Sequence, residues 1–342
     1  MLKPLIKSIV QHAAHLGGAQ RWHQGAPHLW VLMYHRILPL DDTRYKEEEP
    51  GMCVSPDVFA MHLQQLRRYF TPMFLSEWVA KAEAGEALPA RACAVTFDDG
   101  WRDNFEFALP LLKKAQIPAT LFAVAEKIGT DFQFWPNIVA HLLFHGALPK
   151  LTHHPIFQAL ISAIPSLGAN PSRESVAAAI KFLKQFSDQE LFAALEQVRW
   201  QTLAEPMAPA LMSWPELLQM QRSGWVEIGS HTCTHRRLTS ALDETQLRYE
   251  IQHSQSLLQE RLGCAVNLFC FPNGDYSPAA LRLVEESYQA AVTTNRGIVQ
   301  IKPGMAQEGK TGQKLHELTR IGLHNDVSST PVAFGARLST WL

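Results

Sequence analysis

The sequence predicts an α/β fold built on a parallel sheet, and three observations predict it. Strand-like and helix-like segments alternate along most of the chain, and parallel strands require a crossover of that kind between them. Two strand-like runs, 92–97 and 225–230, deliver polar residues where the apolar run stops; the carboxyl ends of parallel strands are where such folds place their chemistry. From about 130 to 212 the alternation gives way to helix-like sequence, which marks an insertion expected to lie over the top of the sheet.

In chain order, 28–37 reads as the first strand. Residues 58–69 form a helix with Phe59, Leu63, Leu66 and Phe70 on one stripe, introduced by Ser55-Pro56-Asp57 as cap and first turn. A strand follows at 92–97, a helix at 107–115 and a strand at 119–125. Within the insertion, Phe134-Trp135-Pro136-Asn137 opens one helix, and 174–186 and 188–200 form others. The alternation resumes with a helix at 214–223 and a strand at 225–230. A long helix at 243–262 carries Leu247, Ile251, Leu257, Leu258 and Leu262, with Gly263 as its stop. Strands at 265–271, 290–293 and 318–323, with a helix at 278–286, bring the count to about seven strands. Residues 302–314 read as a polar loop.

The first 27 residues are read separately. Leu2, Leu5, Ile6, Ile9, Ala13 and Leu16 recur at helical spacing with Lys3, Lys7, Gln11, His12 and His15 between them, which is an amphipathic helix and lacks the unbroken apolar core of a signal peptide. No run approaches the ~18 apolar residues of a membrane span. The helix is expected either to dock on the main domain and close one end of it, or to rest on the cytoplasmic face of the membrane.

With 342 residues the chain can bury one large core, so residues 28–342 are expected to form one domain with its insertion. Lys and Arg number 31 against 32 Asp and Glu, a net charge of −1 with no long basic run, which argues against a nucleic-acid partner. Cys53, Cys93, Cys233, Cys264 and Cys270 are an odd number without metal-ribbon spacing, the usage of a reduced, intracellular protein.

Ala94-Val-Thr-Phe-Asp98-Asp99-Gly100 ends a strand on two adjacent carboxylates. Adjacent strand residues face opposite sides, so one can bind a cation while the other stays free to take a proton. His231-Thr-Cys-Thr-His235 supplies two imidazoles at a spacing that one helical turn would bring to one face. Each motif alone has a plain reading, an ordinary turn for the first and chance among 15 histidines for the second. Their shared position at strand ends favours a metal site with open coordination positions.

Together with Phe271-Pro272-Asn273-Gly274, Leu32-Met-Tyr34-His35-Arg36-Ile37, Pro118-Ala-Thr-Leu-Phe122 and Leu318-Thr-Arg320-Ile321, these motifs occur in the order found in a known family. From about residue 29 to 324 the chain resembles the polysaccharide deacetylases, the NodB-like carbohydrate esterases. The resemblance implies an incomplete seven-stranded (β/α) barrel with its site at the carboxyl ends of the strands. Met212-Ser-Trp214 and the helical insertion are similar to members associated with surface-glycan and lipid-linked sugar pathways.

The resemblance implies a divalent ion held by Asp99, His231 and His235, with zinc foremost and Co, Mn, Ni or Fe also accepted by these donors. Asp98 is the implied general base, and the turn Pro272-Asn273-Gly274 the implied oxyanion and substrate contact, with Gly274 allowing close approach. Tyr34 and His35, at the end of the first strand, are candidate substrate contacts; a packed, hydrogen-bonded histidine is the plain alternative for His35. Trp135 and Trp214 read mainly as packing residues, and His153-His154 as a solvated loop.

Two departures from the family pattern bear on mechanism. Family members use a histidine near the last strand as acid, preceded by an Asp-Trp pair. Here Thr293-Thr294-Asn295-Arg296 holds neither, and His324 is the candidate acid or a surface loop residue. The position of Cys270 commonly holds an arginine that pairs with the base; Arg320, on the neighbouring strand, is expected to supply that charge. The expected activity is removal of the N-acetyl group from an amino sugar of a polysaccharide or lipid-linked saccharide. Deformylation or O-deacetylation of a sugar uses the same machinery. A non-catalytic glycan-binding module is the reading from another class.

Overall fold

The computed structural model describes residues 2–18, 21, 26–168, 170–300 and 315–339. The polar loop read at 302–314 and part of the N-terminal 27 residues lie outside them. Seven parallel strands, β1 (His28–Tyr34), β2 (Arg91–Phe97), β3 (Ala119–Ala123), β4 (Val226–Ser230), β5 (Leu268–Cys270), β6 (Ala290–Arg296) and β7 (Leu318–Gly322), pair in sequence order. β7 then pairs with β1, which closes the sheet into a barrel. It has one strand fewer than the (β/α)8 barrel. The seams differ in length: β1 and β2 run in register from His28↔Arg91 to Tyr34↔Phe97, whereas β4 and β5 meet at Ser230↔Phe269. Between β6 and β7 the register shifts between Leu318 and Arg320, the kind of irregularity that re-aims a side chain beside a site.

Strand alternation divides the core. Leu29 and Val31, Ala92 and Ala94, Leu268 and Cys270, Ala290 and Val292, and Leu318 share one buried cluster with Trp78 and Val79 of the helix Leu75–Glu83. Their strand neighbours Trp30, Tyr34 and Phe97 face the surrounding helices, where Trp30 meets Phe70 and Tyr34 meets Phe59 edge-on at 5.1 and 5.2 Å. Each apolar side chain removed from water in this way contributes roughly 1.5–3 kcal/mol. The cluster rigidifies the barrel beneath the strand ends where the polar residues emerge.

The N-terminal helix, Leu2–Gly17, docks through buried Ala14 and His15 on the helix Pro331–Leu338. A side chain at Gly335 would collide with the His15 ring, so a glycine is needed for that approach. Ile9, Val10 and Leu16 stay exposed. Among the described residues no helix is long and apolar enough to cross a membrane.

The chain divides into two compact units. The barrel unit comprises 1–37, 54–130 and 211–342; the second comprises 131–210 together with 38–53. The sequence alone reads 38–53 with the barrel domain, and the structure differs. The segment belongs with the helices because its acidic run is met there: Asn137 donates to Glu48 at 2.8 Å, Lys184 to Glu49 at 2.9 Å, and Arg173 lies 4.8 Å over the Tyr45 ring. The second unit has its own core around Trp135, Leu142, Phe157, Ile180 and Leu195. It is built from helices that include Trp135–Phe144, Pro155–Ala163, Arg173–Leu183 and Asp188–Gln197. Trp135 is a packing residue whose indole donates to Asp188 at 2.9 Å, and His154 caps the helix after it by accepting from the Ile156 N–H.

Candidate active site

The two carboxylates follow the end of β2, and only the first keeps the alternation of the strand; the left-handed backbone at the second turns it back toward the site. Asp98 turns inward beneath the strand ends, its N–H bonded to the Tyr34 carbonyl at 3.1 Å. Asp99 takes a left-handed conformation, φ 76°, and is buried. The Trp101 indole donates to Asp99 Oδ2 at 2.8 Å. Arg36 lies 4.2 Å over the Trp101 ring and donates to Asp103 at 2.9 Å, and Asp103 also accepts the Ile37 N–H. This chain of contacts leaves Asp99 Oδ1 aimed at both histidines, 3.4 Å from His231 Nε2 and 3.4 Å from His235 Nε2.

The histidine motif is not a helical turn, and here the sequence reading is corrected. Residues 231–235 form an irregular loop with Thr232 and His235 at φ 66° and 65°. The reason lies 16 residues on. Buried Glu250 accepts the Cys233 and Thr234 backbone N–H groups at 3.0 Å and the Thr234 hydroxyl at 2.5 Å. Thr232 Oγ1 accepts the His235 N–H at 2.9 Å. These side-chain acceptors satisfy the donors that a helix would have paired internally, and the loop brings both Nε2 atoms round to one carboxylate oxygen. Four of the six non-glycine residues with positive φ among those described, Asp99, Thr232, His235 and Asn273, stand at this site. Each costs roughly 1 kcal/mol or more.

The donor set suits a divalent ion. His231 Nδ1 faces the Cys270 carbonyl at 2.8 Å and must donate to it, which in the neutral ring leaves Nε2 as a lone pair aimed at Asp99. Donors held at ~2.1 Å around a tetrahedral ion sit about 3.4 Å apart, the separation found for both carboxylate–imidazole pairs. Burial pushes the Asp99 carboxyl up, but with the imidazoles protonated the His231 hydrogen bond and the His235 charge outweigh it and hold the group far below the usual carboxylate range. Asp99, His231 and His235 are thus the residues that would hold an ion.

Arg320 binds Asp98 with both arms of its fork, NH1 to Oδ1 and NH2 to Oδ2, each at 2.7 Å. Its remaining donors reach the Thr293 carbonyl at 2.8 Å, Thr96 Oγ1 at 3.2 Å and Cys270 Sγ at 3.2 Å. Arginine stays charged even when fully buried. Burial alone would raise the Asp98 carboxyl, and the guanidinium reverses that and keeps it below its ordinary value. Burial pushes the Cys270 thiol up, so the sulfur accompanies the arginine as a neutral group.

Around this centre, His35 is half-buried with Nε2 3.8 Å from Asp98 Oδ2. Tyr34 does not reach the site: it is fully buried among Phe59 and Phe97, and its hydroxyl meets His62 Nδ1 at 3.1 Å. Adjacent residues at a strand end face opposite sides, so the two cannot both look inward. The turn Pro272–Gly274 follows β5, with Asn273 at φ 56° and Gly274 at φ 75°. A side chain at Gly274 would collide with Thr294 Oγ1, and the Thr294 hydroxyl donates to the Asn273 carbonyl at 3.0 Å. His324 follows β7, half-buried, with Nδ1 3.1 Å from Asp326 Oδ2. Trp214 is a half-buried packing residue with Arg261 5.4 Å over its ring.

Trp101, Glu250, Asp103 and Asp326 were not singled out in the sequence. Only Asp326 carried a local signal, a carboxylate two residues from a candidate histidine.

Comparison with known proteins agrees with this geometry. A family model described as polysaccharide deacetylase matches residues 85–153 and 168–291. That span includes both aspartates, both histidines and the 272–274 turn, and stops before Arg320. The chain is 28% identical over 121 residues to YxkH of Bacillus subtilis, named as a polysaccharide deacetylase, over 34% of this chain and 39% of that protein. It is 31% identical over 108 residues to the poly-beta-1,6-N-acetyl-D-glucosamine N-deacetylase of Staphylococcus epidermidis, over 29% of this chain and 37% of that one. The chain therefore spans less than two-fifths of the length of the curated relatives it matches. The structure of the Streptococcus pyogenes deacetylase PplD in complex with acetate superposes with a TM-score of 0.58 at 17% identity, covering 91% of this chain and 99% of that one. At that identity the likeness is one of fold.

Proposed function

Since the chain belongs to the polysaccharide deacetylase family, we propose that it is a metal-dependent hydrolase that removes the N-acetyl group from an amino sugar of a polysaccharide or lipid-linked saccharide. The observation that carries this reading is the pairing at one barrel end of two donor sets. Asp99, His231 and His235 converge as ligands, while Asp98, next in sequence, is excluded from them by its bond to Arg320. A divalent ion, zinc first among the candidates, would polarise the acyl carbonyl and acidify a water there.

The chain's own residues supply the rest. Asp98 stays ionised at neutral pH and takes the proton from the attacking water. In the 272–274 turn Pro272 has no N–H and the Gly274 N–H is bonded to the Phe271 carbonyl at 2.9 Å. The Asn273 N–H is the donor the turn can offer to the oxyanion. His35, beside Asp98, contacts the substrate. The leaving amine must take a proton, because an amide anion is far too basic to depart. His324 provides it, with Asp326 holding Nδ1 so that Nε2 faces outward.

The name of the Staphylococcus epidermidis relative supports an N-acetylglucosamine polymer as substrate class. Exposed Ile9, Val10 and Leu16 on the N-terminal helix support peripheral contact with the inner face of the cytoplasmic membrane.

Elemental analysis of native protein, His235→Ala and Asp98→Asn tests the site, followed by acetate and amine release from N-acetylglucosamine oligomers. One equivalent of bound metal that His235→Ala loses and Asp98→Asn keeps, with acetate released only by native enzyme, is the expected result. Absence of metal after reconstitution overturns the hydrolase reading. Formate with free amine, or acetate without it, reassigns the acyl group or the bond.

A further inference from the structure

The second unit holds a separate convergence of ligands. Glu47 ends the helix Thr43–Glu47; His141 lies on the helix Trp135–Phe144, and His145 caps it. Glu47 Oε2 is 3.0 Å from His141 Nδ1, and Oε1 is 3.0 Å from His145 Nε2. The two rings lie 4.2 Å apart between centroids, because positions four apart on a helix share a face. His141 is buried, whereas His145 is exposed and leaves a path of entry.

The outer contact of His141 sets its chemistry. Nε2 lies 2.8 Å from the Glu205 carbonyl, which can only accept, so Nε2 carries the hydrogen. In the neutral ring Nδ1 is then a lone pair facing a carboxylate. A carbonyl fixing the far nitrogen of a ring whose near nitrogen faces an acidic oxygen is the outer-shell arrangement that orients a metal-binding histidine.

We propose that Glu47, His141 and His145 form a second divalent-cation site, independent of the one in the barrel, with donors that suit zinc or a similar borderline ion. Seating an ion requires the half-exposed Glu47 carboxylate to withdraw by about 0.4 Å from the imidazoles, a shift within side-chain rotation. The ligands come from segments 94 residues apart, so the ion fastens 38–53 to the helices of 131–210. Its role is structural, because the three ligands lie within one unit that carries none of the barrel's catalytic candidates.

The test is calorimetric titration of the metal-free full-length protein with Zn2+, carried out on native protein, His235→Ala, His145→Ala and the double variant. The expected stoichiometries are two, one, one and none. In His235→Ala, zinc raises the melting temperature; adding His145→Ala or Glu47→Gln removes that rise or weakens binding at least 100-fold. Zinc binding to His235→Ala that survives both His145→Ala and Glu47→Gln overturns the proposal, as does its absence from His235→Ala. In either case two charge-assisted hydrogen bonds account for the cluster. A failure of the barrel site would appear separately, as native protein and His235→Ala each binding one ion that His145→Ala removes.

Discussion

Arg320 on β7 and Asp98 at the end of β2, 222 residues apart, form a buried two-pronged ion pair with both contacts at 2.7 Å. The arginine approaches past Cys270, whose sulfur lies 3.2 Å from the same guanidinium. In the family the chain resembles, position 270 is where an arginine is expected; here the charge reaches the same carboxylate from another strand. The register shift between Leu318 and Arg320 lies beside it.

Replacing Arg320 by Met is expected to lower kcat about 10²- to 10⁴-fold with the bound metal retained, and to destabilise by about 3–5 kcal/mol because a buried charge loses its partner. The sign of the pH effect follows from the depressed Asp98 carboxyl. The pair contributes stability above the ordinary carboxylate range and loses it as pH falls through the depressed value. Without Arg320 the carboxyl rises from its depressed value, so the acid limb of the activity profile moves to higher pH. Installing arginine at position 270 in that background, as C270R/R320M, should return much of the activity. An R320M enzyme with unchanged kcat and acid limb would remove Arg320 from the mechanism.

This pair also shows what a sequence can carry. The strands were legible because apolar runs of strand length end in polar residues, and the Asp98-Asp99 and His231/His235 motifs lay at two of those ends. Arg320 was reachable only by noticing that Cys270 left a charge unaccounted for. Glu250 was not reachable, since it sits among helix-forming residues and nothing in the sequence couples position 250 to the amides at 233 and 234. The same gap turned the histidine motif into a helix on paper: a spacing of four fits one helical turn and equally fits a loop folded round a carboxylate. Tyr34 has a simpler physical reason: strand alternation lets only one of Tyr34 and His35 face the site, and Tyr34 is the one buried against His62.

Glu250→Ala tests the loop directly. It orphans the Cys233 and Thr234 N–H groups, at a cost of roughly 1–3 kcal/mol for each buried donor. It also frees His235, so metal affinity at the barrel site should fall 10- to 100-fold, as when an outer-shell partner is removed. Glu250→Gln retains an acceptor for the two amides and should recover most of both losses. Thermal melts and metal titrations of the pair report the result; equal affinity in Glu250→Ala and native protein would show that the loop keeps its shape unaided.

His324→Gln is expected to reduce kcat by 10²- to 10⁴-fold, the range for removing a positioned acid, with metal content unchanged. Asp326→Asn should produce a smaller fall, since asparagine still accepts from Nδ1 while losing the charge. Steady-state kinetics on an N-acetylated sugar that leaves as a good leaving group provides the internal check. Such a substrate needs less protonation, so a His324→Gln enzyme should recover on it, and equal deficits on poor and good leaving groups would assign His324 to folding or binding.

Gly274→Ala separates backbone conformation from close approach. Both Gly274 and Gly224 have positive φ, +75° and +76°, but a side chain at Gly224 meets nothing within 4 Å, whereas one at Gly274 collides with Thr294. Alanine at either position carries a left-handed cost of roughly 1–2 kcal/mol. Only at 274 must the turn also move, taking the Asn273 N–H away from the oxyanion. Gly274→Ala should therefore lose about 10²- to 10³-fold in kcat, the scale of one lost oxyanion donor, while Gly224→Ala loses stability alone. Matched melts and kcat values decide between them: if both variants fall equally in stability and neither loses kcat, the oxyanion donor lies elsewhere than in the 272–274 turn.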